Sequence, residues 1–209
     1  MNPLSFNSTT PFHEYLLVLS PDENTNNSII QIKFVFKHCY GCSNAPFIKP
    51  HLTLVNFCQF LSMETHIIKC LEKIARSIAP IAIELSGFGQ YHGHTIYAKV
   101  VDRSPVSKIV EVIKLRLTST LKGKSTVKPI YTGDPHLTIA RRMLKPQFHP
   151  AWSDWQAKDF NSSFWANGML LLKRKINKHT LQPLENYRVL NYFPFTGKTV
   201  RPAQLTIFQ

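Results

Sequence analysis

Three observations predict an α+β fold: the hydrophobic periodicity alternates between strand and helix spacing, helix-capping signals recur, and the order of elements repeats. The order β-α-β-α-β occurs twice, in pseudo-repeat halves at about residues 14–88 and 94–175, and an extra strand follows at about 187–193. Neither half is large enough to bury a core alone, so the halves are expected to share one. We therefore expect a single bilobal domain over residues 1–209, with two antiparallel sheets facing each other across a central cleft and helices outside.

The first half is predicted from short apolar runs and amphipathic stripes. Ser20, Pro21 and Glu23 form a capping-box signal for a helix that ends at Gly41. A second helix carries apolar residues at helical spacing on one face, at Ile67, Leu71, Ile74 and Ile78. In chain order, the elements are a strand at residues 14–20, the helix ending at Gly41, a strand at 51–56, a helix at 63–79 and a strand at 81–85.

The same Ser-Pro signal marks the start of a helix in the second half, at Ser104 and Pro105. The run from Lys122 to Lys124 is predicted to end this helix. The apolar face of this helix is predicted at Val106, Ile109, Val110, Ile113 and Leu117. The other elements are strands at residues 95–101 and 136–141, a helix at 146–159, a long strand at 164–174 and a closing strand at 187–193. The closing strand is expected to be the hairpin partner of the strand before it.

The chain is strongly basic, with 25 Lys and Arg against 12 Asp and Glu, which gives a formal net charge of +13. This excess favours polyanions such as RNA as partners. No stretch approaches the roughly 18 apolar residues of a membrane-spanning helix. Residues 1–10 also lack the pattern of a signal peptide. We therefore expect a cytoplasmic protein that does not bind membranes. A monomer is a separate expectation, since the sequence leaves the oligomeric state open.

Cysteine usage points to the same compartment, because four cysteines are too few for a disulfide-stapled secreted domain. Cys39 and Cys42 form a C-x-x-C beside His38, but no second pair of ligands at similar spacing follows, as a structural zinc site requires. We expect reduced thiols and no metal site. The role of Cys39 and Cys42 stays open.

A repeated motif carries the predicted chemistry. The string Pro-His-Leu-Thr occurs at residues 50–53 and again, 85 residues later, at 135–138. Chance predicts this string on the order of 0.004 times in a chain of such composition. Because side chains alternate along a strand, the histidine and threonine of each motif share one face, while Leu52 and Leu137 point into the core. The alternative of two unrelated core histidines does not account for the matched pair.

Two imidazoles and two hydroxyls around one phosphate suit phosphodiester chemistry without a metal. We predict His51, His136, Thr53 and Thr138 as the catalytic residues. One neutral histidine accepts a proton from water or a ribose hydroxyl, and the other, protonated, donates to the leaving oxygen. The threonine hydroxyls donate hydrogen bonds to the non-bridging oxygens as charge develops there.

These motifs, in a duplicated fold of this length, resemble the two-histidine (2H) phosphoesterase superfamily, and in particular its 2′-5′ RNA ligase-like cyclic phosphodiesterases. Residues 136–141 read His-Leu-Thr-Ile-Ala-Arg, similar to the family's H-x-T-[LI]-[AG]-R, which implies that Arg141 contacts phosphate or substrate. The first motif departs from the family, because Val55-Asn56-Phe57 stands where an Arg or Lys and then Phe often follow. This departure leaves the natural substrate open.

The resemblance implies hydrolysis of 2′,3′-cyclic phosphates at RNA ends, of 2′-5′ linkages or of cyclic phosphates derived from ADP-ribose, without metal or cofactor. It also implies His136 as base and His51 as acid, although the pseudo-symmetry makes the two interchangeable on sequence grounds. Two alternatives stay open. One is a module that binds RNA or a nucleotide without turnover, and the other is a 2′-5′ RNA ligase running the reverse reaction.

Further substrate-binding candidates lie near the motifs. Phe47 and Tyr131 precede the two histidines in the loops that enter the strands, so we predict them as stacking platforms for bases. Lys49, two residues before His51, is predicted to reach the anion. His92 and His94 are expected in a plain surface turn. A basic run at a strand end and turn, formed by residues 173–175 with Lys178 and His179, is either a solvated loop or an RNA backbone contact.

Overall fold

Helices and strands alternate along the computed structural model, which describes residues 11–121 and 127–197. The helices are α1 (Glu23–Tyr40), α2 (Glu64–Arg76), α3 (Ser104–Leu121) and α4 (Lys145–Trp155). The strands are β1 (Phe12–Leu19), β2 (Leu52–Phe60), β3 (Ile81–Tyr91), β4 (Thr95–Val100), β5 (Ile130–Tyr131), β6 (His136–Ala140), β7 (Asn161–Ala166), β8 (Gly168–Lys175) and β9 (Arg188–Pro194). The predicted α+β class is confirmed.

The strands form one antiparallel sheet in the order β7-β3-β4-β6-β2-β1-β8-β9, and the short β5 pairs with β2. Its two lobes, β7-β3-β4-β6 and β2-β1-β8-β9, join through a single register pair between Leu52 and Leu137 within the part of the chain that the structure describes. The two predicted sheets are thus two lobes of one curled sheet. Each strand pair adds right-handed twist, so a sheet of this many strands curls rather than staying flat.

The predicted long strand at residues 164–174 is wrong. The structure divides it at Asn167 into β7, which pairs with β3, and β8, which pairs with β1 in the other lobe. Close approach of the neighbouring strand explains the glycine that opens β8, because a Cβ on Gly168 would lie 2.6 Å from the Phe193 carbonyl oxygen. The predicted hairpin of the last two strands is confirmed, since β8 pairs with β9.

The lobes exchange strands between the two pseudo-repeat halves. Strand β3 comes from the half at residues 14–88 but pairs with β4 and β7, and β8 comes from the half at 94–175 but pairs with β1. The duplication of the halves stays a prediction.

Asp22 caps α1, which corrects the capping predicted for Ser20. Its carboxylate accepts from the backbone N–H of Thr25 at 2.8 Å, and its negative charge suits a helix N-terminus. Gly41 ends α1 as predicted, with the positive φ of 68° that favours glycine. Helices α2 and α4 are shorter than predicted, and the predicted stop of α3 at residues 122–124 lies outside the described residues.

One hydrophobic cluster joins the helices to one side of each strand. The predicted stripes are buried in it, including Ile67, Leu71 and Ile74 of α2 and Ile113 and Leu117 of α3. Strand residues between the core positions point to the opposite face of the sheet, where both His-x-Thr motifs lie. Among residues 11–121 and 127–197, no helix has both the length and the apolar character needed to cross a bilayer.

Candidate active site

The two motifs meet at the junction of the lobes. Leu52 and Leu137 are fully buried register partners, so the residues on either side of each leucine face away from the core. An antiparallel register centred on these leucines sets His51 toward Thr138 and Thr53 toward His136. All four side chains line one open cavity of about 410 Å³, together with Arg141. The structure therefore brings together the predicted catalytic set and one predicted substrate contact.

Both histidines are held in the same tautomer. Nδ1 of His51 lies 2.8 Å from the Lys49 carbonyl oxygen, and Nδ1 of His136 lies 2.8 Å from the Asp134 carbonyl oxygen. A carbonyl oxygen only accepts, so each Nδ1 carries the hydrogen and donates it. Each Nε2 is thereby left free to exchange a proton with a molecule in the cavity.

The surroundings of His51 favour its neutral form. Burial lowers the pKa of His51, the hydrogen bond to the Lys49 carbonyl opposes this change, and the charges of Lys33, Arg141 and His136 lower the pKa further. A neutral imidazole with its Nε2 lone pair exposed is the form that accepts a proton.

His136 is packed against two tyrosines. Its ring centroid lies 5.0 Å from that of Tyr91, in an edge-on contact, and 4.9 Å from that of Tyr97. The Tyr91 hydroxyl donates to the Asp134 carboxylate and lies 3.5 Å from Nδ1 of His136. Arg103 forms a 2.5 Å ion pair with the same carboxylate. Sequence reasoning missed Tyr91 and Asp134, although the position of Asp134 two residues before His136 is a usable signal.

The turn between β3 and β4 enters the cavity, which corrects the expectation of a plain surface loop. Tyr91, His92, His94 and Thr95 all line it. The backbone N–H of Met143 donates to the His94 carbonyl oxygen at 2.9 Å, which ties the turn to the segment after β6. The His92 and His94 rings are 6.1 Å apart, and the described residues contain no group of three or more His, Cys, Asp or Glu side chains arranged to hold a metal ion.

Three predicted substrate contacts do not line this cavity. Tyr131 pairs with Val55 in β5 and its hydroxyl lies 2.9 Å from that of Thr118 on α3, so the ring packs on the helix side. Phe47 is 78% exposed, and Lys37 lies over its ring. The Lys49 side chain is exposed. Among the described contacts, Lys49 reaches His51 only through its backbone carbonyl oxygen.

A sequence model of the 2′-5′ RNA ligase superfamily matches residues 21–177, well over half of the chain. The chain belongs to this superfamily. The resemblance to 2H phosphoesterases predicted from the two motifs is therefore confirmed, and membership supports a phosphoesterase-type activity. No curated protein sequence matches the chain.

Solved structures share the superfamily fold. The protein TT0787 of Thermus thermophilus is 17% identical, with a TM-score of 0.62 over 88% of this chain and 99% of that one. E. coli LigT complexed with 3′-AMP is 11% identical, with a TM-score of 0.60 over 89% of this chain and 99% of that one. At these low sequence identities, the structural similarity establishes a common fold and nothing more specific.

Strand β2 contains a β-bulge directly after the first motif. Thr53 pairs with Val18 and Val55 with Leu17, which leaves Leu54 as an extra residue in β2. After the bulge, Asn56 returns to the face of Thr53, because their partners Leu16 and Val18 are two residues apart on β1.

Asn56 belongs to a polar cluster on the cavity side of the sheet. Its amide donates to Glu14 at 2.8 Å, and Arg174 of β8 forms a 2.5 Å ion pair with the same carboxylate. Lys173 points the other way and pairs with Glu64 while nearly buried. The predicted basic run is therefore divided between two faces of the sheet rather than forming one surface.

Proposed function

We propose that the chain is a metal-independent phosphodiesterase that hydrolyses 2′,3′-cyclic phosphate RNA ends or 2′-5′-linked nucleotides. The observation that carries this proposal is the cavity in which His51 and His136, each with Nδ1 bound to a backbone carbonyl, lie beside Thr53 and Thr138. The net charge of +13 favours an RNA or nucleotide substrate. Crystal structures of E. coli LigT contain that protein complexed with 3′-AMP and complexed with phosphate.

The proposed reaction needs two proton transfers. The base takes a proton from water, whose oxygen forms a bond to phosphorus, and the bond from phosphorus to the ribose 3′ oxygen breaks. The acid donates its proton to that 3′ oxygen, which leaves a 2′-phosphate. Thr53 and Thr138 donate hydrogen bonds to the non-bridging oxygens, and Arg141 balances their charge.

We assign the base to His51 and the acid to His136, the reverse of the order that the family resemblance implies. Burial and the neighbouring cations Lys33 and Arg141 lower the pKa of His51, which keeps its imidazole neutral and able to accept a proton. Each proton transfer contributes about 10²–10⁴-fold to the rate.

Incubation with 2′,3′-cyclic AMP and detection of 2′-AMP tests the proposal. His51→Ala and His136→Ala are each expected to abolish product formation without unfolding the protein. His149→Ala, at an exposed histidine on α4, is the matched control and should leave the rate unchanged. Activity that persists in both cavity variants would reject the mechanism, and activity lost on adding EDTA would indicate a metallohydrolase.

The same assay separates the alternatives. Binding of 2′-AMP without turnover of any cyclic phosphate would favour a binding module. Joining of RNA ends by the same two histidines would favour the ligase direction, since both directions share one transition state.

We also propose that the enzyme works as a monomer in the cytoplasm. All four cysteines are unpaired, which suits a reducing compartment. Light scattering of the purified chain should give 24.0 kDa, whereas twice that mass would contradict the monomer.

A further inference from the structure

Helix α1 carries a lysine that is buried next to the candidate active site. Lys33 is 1% exposed and lies on the core face of α1, between the buried Ile29 and Phe36. A fully buried lysine is rare unless it is paired with a carboxylate. No ion pair formed within residues 11–121 and 127–197 includes Lys33.

A short chain of contacts connects Lys33 to His51. The ammonium group donates to the Ile48 carbonyl oxygen at 2.7 Å, and Ile48 lines the cavity. The next residue, Lys49, accepts from Nδ1 of His51 through its own carbonyl oxygen. Lys33 therefore holds in place the segment that sets the orientation and tautomer of His51.

The charged group that acts on Lys33 among the described residues is a cation. Arg141, directly after β6, lowers the pKa of Lys33, and Lys33 in turn lowers that of His51, directly before β2. Burial lowers the pKa of Lys33 more than Arg141 does, and the two effects together bring it to about 8. No carboxylate among residues 11–121 and 127–197 acts on this group, so no side chain of these residues balances its charge.

A phosphate in the cavity would supply the missing negative charge. We propose that Lys33 is the buried counter-charge of this anion site and that it takes up a proton when the phosphate group of a nucleotide binds. Lys33 also holds in place the Ile48 and Lys49 backbone that orients His51. This inference rests on the proposed function for the identity of the anion. Because the phosphate stabilises only the protonated ammonium, anion binding and proton binding are thermodynamically linked.

Calorimetric titration of the full chain with 2′-AMP at pH 8.5, in two buffers of different ionisation enthalpy, measures this linkage. At that pH an imidazole of ordinary pKa and the phosphate are both already deprotonated. We expect uptake of about half a proton per bound 2′-AMP, with a maximum between about pH 8 and pH 9.

Variants assign the proton to Lys33. Lys33→Met should remove the uptake and weaken 2′-AMP binding by about tenfold, the effect of losing one charge-assisted interaction. Lys33→Arg should keep the affinity but lose the uptake, because a guanidinium stays charged. Lys37→Met, one turn further along α1, is the matched control and should change neither quantity.

Each outcome decides between the two proposals. No proton uptake by the unaltered chain, or uptake that persists in Lys33→Met, overturns the role of Lys33, while turnover of 2′,3′-cyclic AMP would keep the enzyme proposal. Proton-linked binding without turnover supports Lys33 and rejects the hydrolase. Failure to bind 2′-AMP overturns the role of Lys33, and it overturns both proposals only if 2′,3′-cyclic AMP is not turned over either. The unaltered chain alone is decisive if Lys33→Met does not fold.

Discussion

Leu52 and Leu137 are direct partners across the junction of the two lobes, and this pair holds the two His-x-Thr motifs together. Both side chains are fully buried, and the motif residues on either side of them line the cavity. The hydrophobic core is thereby coupled directly to the geometry of the proposed catalytic groups.

We predict that Leu137→Ala lowers both stability and turnover. The cavity left by the lost side chain should reduce the free energy of unfolding by about 2–5 kcal/mol, and kcat should fall because the motifs lose their common support. Leu71→Ala, at an equally buried site in α2, is the control for stability alone. Urea unfolding and steady-state kinetics measure both effects. Equal kcat values in the two variants would contradict the coupling.

The assignment of base and acid predicts different responses to the leaving group. A p-nitrophenyl phosphodiester releases an anion that needs no protonation, so a variant that lacks the acid should regain activity on it. The loss of rate caused by His136→Ala, relative to the unaltered chain, should be at least tenfold smaller on this substrate than on 2′,3′-cyclic AMP. His51→Ala should remain inactive on both substrates. The opposite pattern would restore the order that the family resemblance implies.

Tyr91 is predicted to position His136 through the Asp134 segment. Tyr91→Phe removes the hydroxyl that donates to Asp134 and lies 3.5 Å from Nδ1 of His136. The expected result is a roughly fivefold lower kcat with little change in KM, since one hydrogen bond is worth about 1 kcal/mol. Tyr40→Phe, which removes a hydroxyl bonded to Asp154 on α4, should leave kcat unchanged. A change confined to KM would mean that Tyr91 binds substrate instead.

Lys33 predicts an unusual dependence of stability on pH. Its folded pKa of about 8 lies below the usual value near 10.4, so between these values the unfolded chain binds the extra proton. The free energy of unfolding should therefore rise with pH in this window, by about 2 kcal/mol between pH 8 and pH 9.5, relative to Lys33→Met. Urea unfolding at several pH values measures this difference. If the free energy of unfolding of the unaltered chain and of Lys33→Met changed equally with pH, Lys33 would be protonated over the whole range from about pH 8 to pH 9.5.

Local sequence pattern was sufficient to predict the elements that carry the proposed catalytic residues. The two-residue period of a strand places His51 with Thr53 and His136 with Thr138, and the repeated Pro-His-Leu-Thr string marks both sites. The stripes of α2 and α3 likewise depend on residues three or four apart. These features involve neighbours within one turn or one strand, so the sequence by itself determines them.

Only the tertiary structure decided the contacts between distant segments. Tyr91 reaches His136 over 45 residues, and Lys33 reaches the Ile48 carbonyl over 15. The change of partner at Asn167 was also missed: Asn167-Gly168 interrupts the apolar pattern, but nothing in that pattern shows that the residues on its two sides pair in different lobes. Periodicity reports which face of an element is buried but not which element covers it, so these contacts depend on how the whole sheet curls.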